Sequence, residues 1–476
     1  MTKSLKRKTV SGVMWSGIER FSLQGIQFIF NIIIARLLTP SDFGAMAMLT
    51  VFLQVSQTFV DAGFTNALIQ KKNRTENDFF TVFYFNIFIA LLFYIILYII
   101  APFISVFYNI PLLTDLMRVV AITLIINSLS AIHKIKLTIL IDFKTQAKIS
   151  FYSAFSSGIL GAFSAYYGYG VWSLVIQTIT NATISTIYLW IVLKWKPIFT
   201  FSFKSFNSLF SFGSKLLISS LISTIYRNLY PIFIGKKFSA SELGSFSNAE
   251  LFSKLPSSNI SSITSRVMYP ILVSVQDDNV KLASVYRRYI RIISFITFPL
   301  MMWMVVMAKP LVLFLLTEKW HTVIPLLQIL CFDWMFDHLS IINLNLLLVK
   351  GRSDLSLKLE ILKKTIAIII LIISINWGIK GVCLGRVVYS LIATVLNTYY
   401  TKNLIGLSLG KQLRDIYPYF IISIFMGSIV YWINFIDITN IFKLFIGIFI
   451  GISFYIFISI IFCKSTLQEF YSLMKK

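Results

Sequence analysis

Apolar residues run along this chain in blocks of roughly twenty, separated by short breaks of polar residues, glycine or proline; a hydrocarbon core about 30 Å thick needs a helix of that length to cross it. Fourteen blocks occur, at approximately 12–35, 44–64, 80–104, 115–135, 149–167, 172–193, 211–234, 243–265, 288–308, 324–347, 358–376, 381–400, 415–435 and 440–462. The pattern predicts an all-α membrane protein with about fourteen transmembrane helices. The first block follows Lys3, Lys6, Arg7 and Lys8 as a secretory leader would, yet it holds Glu19 and Arg20 and is too long for a leader's apolar stretch. It is expected to be a retained span.

Polar residues inside the blocks fall on single helical faces. Ser16, Arg20, Gln24, Gln27 and Asn31 recur at steps of 4, 4, 3 and 4 in the first block, and Thr50, Gln54, Gln57, Asp61 and Thr65 form a stripe in the second. The stripes return 200 residues later, as Ser220, Thr224, Arg227 and Pro231, and as Glu250, Lys254, Ser258, Ser261 and Ser265. The turns between these blocks repeat as well. Residues 35–44 and 235–244 match position by position, pairing Ser41 with Ser241, Asp42 with Glu242 and Gly44 with Gly244. A second echo, offset by 210 or 211, relates Tyr167–Val171 to Trp377–Val382. The repeat predicts two six-helix lobes, 1–204 and 205–410, of the same topology about a pseudo-two-fold axis along the membrane normal. Two further helices follow at 411–476.

Charge refines this picture. Lys+Arg number 43 against 19 Asp+Glu, for a net +24, but only 13% of residues are charged and 57% are apolar. A soluble domain is about a quarter charged, and a nucleic-acid binder would gather its cations on a polar domain. Cytoplasmic loops carry the excess of Lys and Arg. With the N-terminus inside, 30 cations fall in inner segments and 7 in outer loops, which predicts both termini in the cytoplasm. Six cations are not counted in the loops: Arg20, Arg118, Arg227, Lys254, Arg266 and Arg386. Arg118, Arg266 and Arg386 lie near enough to a membrane surface to snorkel. Arg20, Arg227 and Lys254 are too deep, where a charge costs at least about 2.5–3.5 kcal/mol and faces a cavity or a partner.

Any single Ser, Thr or Gln is explained by helix–helix hydrogen bonding. The whole set, with its charges, predicts a hydrated central cavity between the halves. Its lining would be Ser16, Glu19, Gln24, Gln27, Asn31, Gln54, Gln57, Ser220, Thr224, Glu250, Ser258 and Ser261. Asp61, Asp333, Asp337 and His338 are titratable groups placed within blocks, which suits either an H+ or Na+ relay or ion pairing with Arg or Lys. Both readings stand on the sequence. Pro256 and Pro299 mark either hinges or static kinks.

Other chemistry is weak. Cys331, Cys383 and Cys463 have no paired spacing, and His133, His321 and His338 share no metal spacing. Neither a metal nor a cofactor is implied. No phosphate-binding Gly-x-x-x-x-Gly-Lys-Ser/Thr occurs, and Gly406-Leu407-Ser408-Leu409-Gly410 lacks the strand-turn-helix context of a hydrolase elbow. Gly381 with Gly385, and Gly447 with Gly451, are spaced for close helix packing.

Three stretches carry a family resemblance: Ser11-Gly-Val-Met-Trp-Ser-Gly-Ile-Glu-Arg-Phe, Ile32-Ile-Ile-Ala-Arg-Leu-Leu-Thr-Pro-Ser-Asp-Phe-Gly and Asp61-Ala-Gly-Phe-Thr-Asn-Ala-Leu-Ile-Gln-Lys-Lys. Together with Gly351-Arg-Ser-Asp-Leu, they make nearly the whole chain resemble the Wzx-type lipid-linked oligosaccharide flippases, near the colanic acid and teichuronic acid exporters. These belong to the multidrug/oligosaccharidyl-lipid/polysaccharide exporter superfamily. The resemblance implies a two-lobed, V-shaped bundle in the bacterial inner membrane that passes undecaprenyl-pyrophosphate-linked glycans outward by alternating access. The product would be a surface polysaccharide such as O-antigen, capsule or exopolysaccharide. Partners would be the lipid-linked oligosaccharide, membrane lipid and polysaccharide assembly proteins, with no nucleic acid. Arg20, Arg227 and Lys254 are then assigned to the pyrophosphate, because Arg contacts it in bidentate fashion and Lys supplies a point charge. An organic-cation antiporter of the same superfamily and a membrane polysaccharide polymerase are the rivals. The deep cations oppose the first, and short outer loops oppose the second.

Overall fold

The computed structural model describes residues 3–61 and 63–474, without the side chains of 3–14, 16, 18, 263, 264, 267 and 471–474. Its regular elements among the described residues are all helical. Two compact units, Met1–Gly244 and Ser245–Lys476, divide the chain.

The first unit comprises α1 (Lys3–Leu37), α2 (Pro40–Asp61), α3 (Phe64–Gln70), α4 (Glu76–Tyr108), α5 (Leu113–Val120), α6 (Ile122–Ile139), α7 (Phe143–Tyr166), α8 (Trp172–Leu193) and α9 (Phe203–Lys237). In this unit α1 packs on α7, α7 on α8, α8 on α6, and α9 on α2, α3 and α4. The helix expected to open the second lobe therefore packs with the first unit. A core of Phe64, Leu68, Phe83, Ile132 and Leu209 joins α3, α4, α6 and α9. Tight contact between α1 and α7 depends on Gly158, where a Cβ would overlap the Phe30 ring.

The 200-residue repeat has a local structural counterpart. Thr39 donates its backbone N–H (2.9 Å) and its hydroxyl (2.7 Å) to Asp42 at the start of α2. Ser239 does the same to Glu242, at 3.2 Å each. Each acid satisfies an exposed donor at a helix start and sits where a carboxylate is favoured. The segments Pro40–Gly44 and Ala240–Gly244 also touch through backbone: a Cβ at Gly44 would overlap the Ala240 carbonyl, and one at Gly244 the Pro40 carbonyl.

The second unit is entered through α10 (Ala240–Ser274) and continues with α11 (Asn279–Val306), α12 (Ala308–Leu315), α13 (Val323–Met335), α14 (Asp337–Val349), α15 (Ser353–Ser374), α16 (Gly378–Ile405), α17 (Leu409–Tyr431), α18 (Asn440–Phe462) and α19 (Lys464–Met474). Here α16 packs on α13, α14 and α15, while α17 packs on α11 and α18. Trp320, Tyr286 and Phe298 are fully buried. The Tyr286 hydroxyl donates to Asn343 Oδ1 (2.6 Å), and Arg287 makes two 2.7 Å contacts to Asp415, so α11 is tied to both α14 and α17.

Each apolar block falls on helix, but with breaks that the pattern did not show. The second block ends α2 at Asp61, the fourth divides at Ala121, and the tenth divides at Phe336. Among the described residues, ten stretches are long and apolar enough to cross a membrane, one of which, Ser353–Ile405, contains both α15 and α16. Helices α1, α7 and α10 are not among them. In α7 five serines, with Lys144 and Lys148, dilute the apolar surface. The helices run on through Pro256 and Pro299. Gly406-Leu407-Ser408-Leu409-Gly410 is a helix junction: Gly406 ends α16 at φ 70°, and Ser408 accepts the Lys411 N–H to start α17.

Candidate functional site

In the first unit the α1 stripe points to several environments. Glu19 is half-buried and accepts from the Ser150 hydroxyl of α7 at 3.1 Å. Arg20 is half-buried and forms no ion pair among the described residues. The Gln24 side-chain oxygen is buried without a hydrogen-bond partner among those residues. Gln27 and Asn31 line a cavity of about 330 Å³ with residues of α7 and α8. Ser16 lies outside the described side chains.

The stripe of α2 meets α9 instead. Asn228 donates to Gln54 Oε1 at 2.9 Å, and the Thr58 and Thr224 hydroxyls lie 3.2 Å apart. Gln57 donates to Asp61 Oδ1 at 3.0 Å on its own helix. Gln54 and Thr224 thus use their polar atoms as helix–helix ties. Arg227 is exposed, its guanidinium 3.4 Å from the Thr224 hydroxyl, and has no ion pair among the described residues. Ser220 is exposed.

The second unit gathers a denser cluster. Arg386 of α16 stands between Glu250 of α10 (2.8 Å) and Asp333 of α13 (2.7 Å), with Phe246 and Trp334 rings 5.8 and 5.9 Å from the guanidinium. The Arg386 side chain is only 11% exposed, so this is a buried charge held by two carboxylates. Expectation placed Arg386 near a surface, snorkelling; the fold turns it inward because Glu250 and Asp333 offer it a two-sided fork of acceptors. Lys254 is exposed, 5.5 Å from the Trp334 ring centroid, and makes no ion pair among the described residues. Asp337, one turn past Asp333, is half-buried, as is Ser258, while Ser261 is buried. His338 is buried with its Nε2 2.8 Å from the Ser294 hydroxyl.

The break at Phe336 lies inside this cluster, flanked by Asp333 and Asp337. Carbonyls released by an interrupted helix need partners in a medium without water. Ser390 donates to the Asp333 carbonyl (2.9 Å) and Ser257 to that of Trp334 (2.7 Å). Neither serine stands out in the sequence, since each is one hydroxyl among many. No group of three His, Cys, Asp or Glu among the described residues is placed to hold a metal ion.

Comparison with known proteins bears on this arrangement. The family described as polysaccharide biosynthesis protein matches residues 33–325. The chain is 25% identical over 435 residues to the teichuronic acid biosynthesis protein TuaB of Bacillus subtilis, covering 90% of each. It is 23% identical over 425 residues to the lipopolysaccharide biosynthesis protein WzxC of Escherichia coli, covering 88% of this chain and 86% of that one. Among solved structures, the lipid II flippase MurJ in an inward closed conformation superposes with a TM-score of 0.78 at 16% identity, covering 96% of this chain and all of the other. That likeness establishes the fold.

Proposed function

The chain belongs to the polysaccharide biosynthesis protein family, and from that membership we propose that it moves undecaprenyl-pyrophosphate-linked oligosaccharides across the bacterial inner membrane for surface polysaccharide assembly. It is a multi-pass membrane transporter and not an enzyme. Fourteen crossings with both termini in the cytoplasm fit the placement of 30 inner and 7 outer cations. Movement is by alternating access.

One observation carries the reading. Arg20, Arg227 and Lys254 form no salt bridge among the described residues, whereas Arg386 forms two. Cations not tied into salt bridges among the described residues are available to an anionic cargo, and a pyrophosphate supplies the charge and the acceptor oxygens that Arg and Lys take. Arg20, Arg227 and Lys254 are each assigned to the head group at some stage of its passage. The same cations would repel an organic-cation cargo. Asp61, Asp333, Asp337 and His338 remain the groups for coupling to H+ or Na+, with Asp333 held by Arg386 until transport releases it.

In a strain lacking the native gene, Arg20→Ala and Lys254→Ala are each expected to abolish surface polysaccharide and to accumulate lipid-linked precursor. Immunoblots of the membrane fraction would show normal protein. Unchanged export in both variants at normal abundance would remove the head-group assignment.

A further inference from the structure

Between α1, α7 and α8 of the first unit lies a half-open cavity of about 330 Å³. Its polar lining comes from Gln27, Asn31, Ser157, Gln177, Thr178 and Asn181, against the Phe30 ring, and among the described residues no Lys, Arg, Asp or Glu contributes to it. We propose that this cavity is a subsite for one uncharged sugar ring of the cargo; the proposal rests on the flippase reading and adds where the glycan is held.

The chemistry of the lining sets the ligand class. The Gln27 and Gln177 carboxamides each offer two N–H donors and an acceptor oxygen, which matches hydroxyl groups that both donate and accept. Asn181 Nδ2 donates to the Ser157 hydroxyl at 3.2 Å, which fixes its orientation toward α7. Gln27 and Gln177 make no side-chain hydrogen bond among the described residues, so their amides are free to serve a ligand. Amides left unmatched at membrane depth are costly, and a polar ligand or water must complete them. A phosphate would find no cation here and an ammonium ion no anion. Phe30, Ile34 and Leu174 supply apolar walls for the C–H faces of a ring. Phe30 is itself held, by Gly158 behind it and by Phe155 edge-on at 5.9 Å.

Size and register agree with this assignment. Ligand pockets run from about 300 to 1,000 Å³, so this one suits a single small ring rather than a drug-sized molecule. Gln27 lies seven residues beyond Arg20 on the same helix, about 10 Å along the axis at 1.5 Å per residue. A pyrophosphate at Arg20 and a nearby sugar of the same cargo can therefore be held by one helix.

The test uses the full chain in lipid nanodiscs and saturation-transfer NMR with free glucose, galactose and N-acetylglucosamine, each alone. Wild type is expected to transfer saturation to at least one of them, and the Gln177→Leu/Asn181→Leu double variant to lose at least tenfold of that signal. Gln177→Asn, which keeps an amide, should retain it. If the double variant does not fold, each single substitution carries the same test. No signal from any sugar, or equal signals in wild type and the Leu variants, would overturn the subsite. Undecaprenyl pyrophosphate titrations separate the two readings. Head-group binding kept in the Leu variants but lost in Arg20→Ala leaves the flippase reading standing whichever way the sugar result falls; sugar binding without any head-group binding supports the subsite and removes the flippase reading.

Discussion

Arg386 and Lys254 sit in the same unit and meet opposite fates. Arg386 is enclosed by Glu250 and Asp333, while Lys254 has an aromatic ring beside it and no salt bridge among the described residues. Removing one partner of a buried charge group leaves the others uncompensated, at a cost of about 3–5 kcal/mol. Arg386→Leu is therefore expected to lower the thermal midpoint of the detergent-solubilised protein, and adding Glu250→Gln with Asp333→Asn should restore most of it. A midpoint unmoved by Arg386→Leu would show that the cluster does not carry stability. The role of Arg386 was not legible in the sequence, because Glu250 lies 136 residues away and only tertiary packing brings the two together.

Helix starts and interruptions carry the next level of organisation. The pairing of Asp42 with Glu242 was legible in the repeat, and the structure adds that each accepts from Thr39 or Ser239 at a helix start. The break at Phe336 was not, because no Gly or Pro marks it; it is held by hydroxyls of Ser257 and Ser390 that come from other helices. Nor did the stripe of α2 reveal that Gln54 would be tied to Asn228. The backbone contact at Gly44 gives an element-level prediction. Gly44→Ala forces a methyl into the Ala240 carbonyl and should destabilise by about 1–3 kcal/mol, as overpacking does. Gly25→Ala, whose Cβ meets nothing within 4 Å, should be neutral or mildly stabilising. Comparing the unfolding of both variants by the same thermal assay checks the pair; equal effects would contradict it.

For the molecule as a whole, the proposed topology accounts for most of the +24 charge as Lys and Arg placed in alternating loops. What that placement leaves over is a small number of cations and a set of neutral amides, which the proposed cargo would engage. The all-helical fold was legible in the apolar pattern, and the 200-residue repeat has a counterpart in the matching helix starts at Asp42 and Glu242. The grouping of α9 with the first unit was not, because it depends on contacts with α2, α3 and α4 that no local pattern encodes. The most direct test of the central claim is reconstitution of the purified chain in vesicles with an undecaprenyl-pyrophosphate-linked oligosaccharide bearing a fluorophore, followed by a quencher that cannot cross the bilayer, under imposed pH or Na+ gradients. Wild type is expected to move the lipid between leaflets and Arg20→Ala/Lys254→Ala to leave it where it began; movement at equal rates in wild type, double variant and empty vesicles would contradict the account.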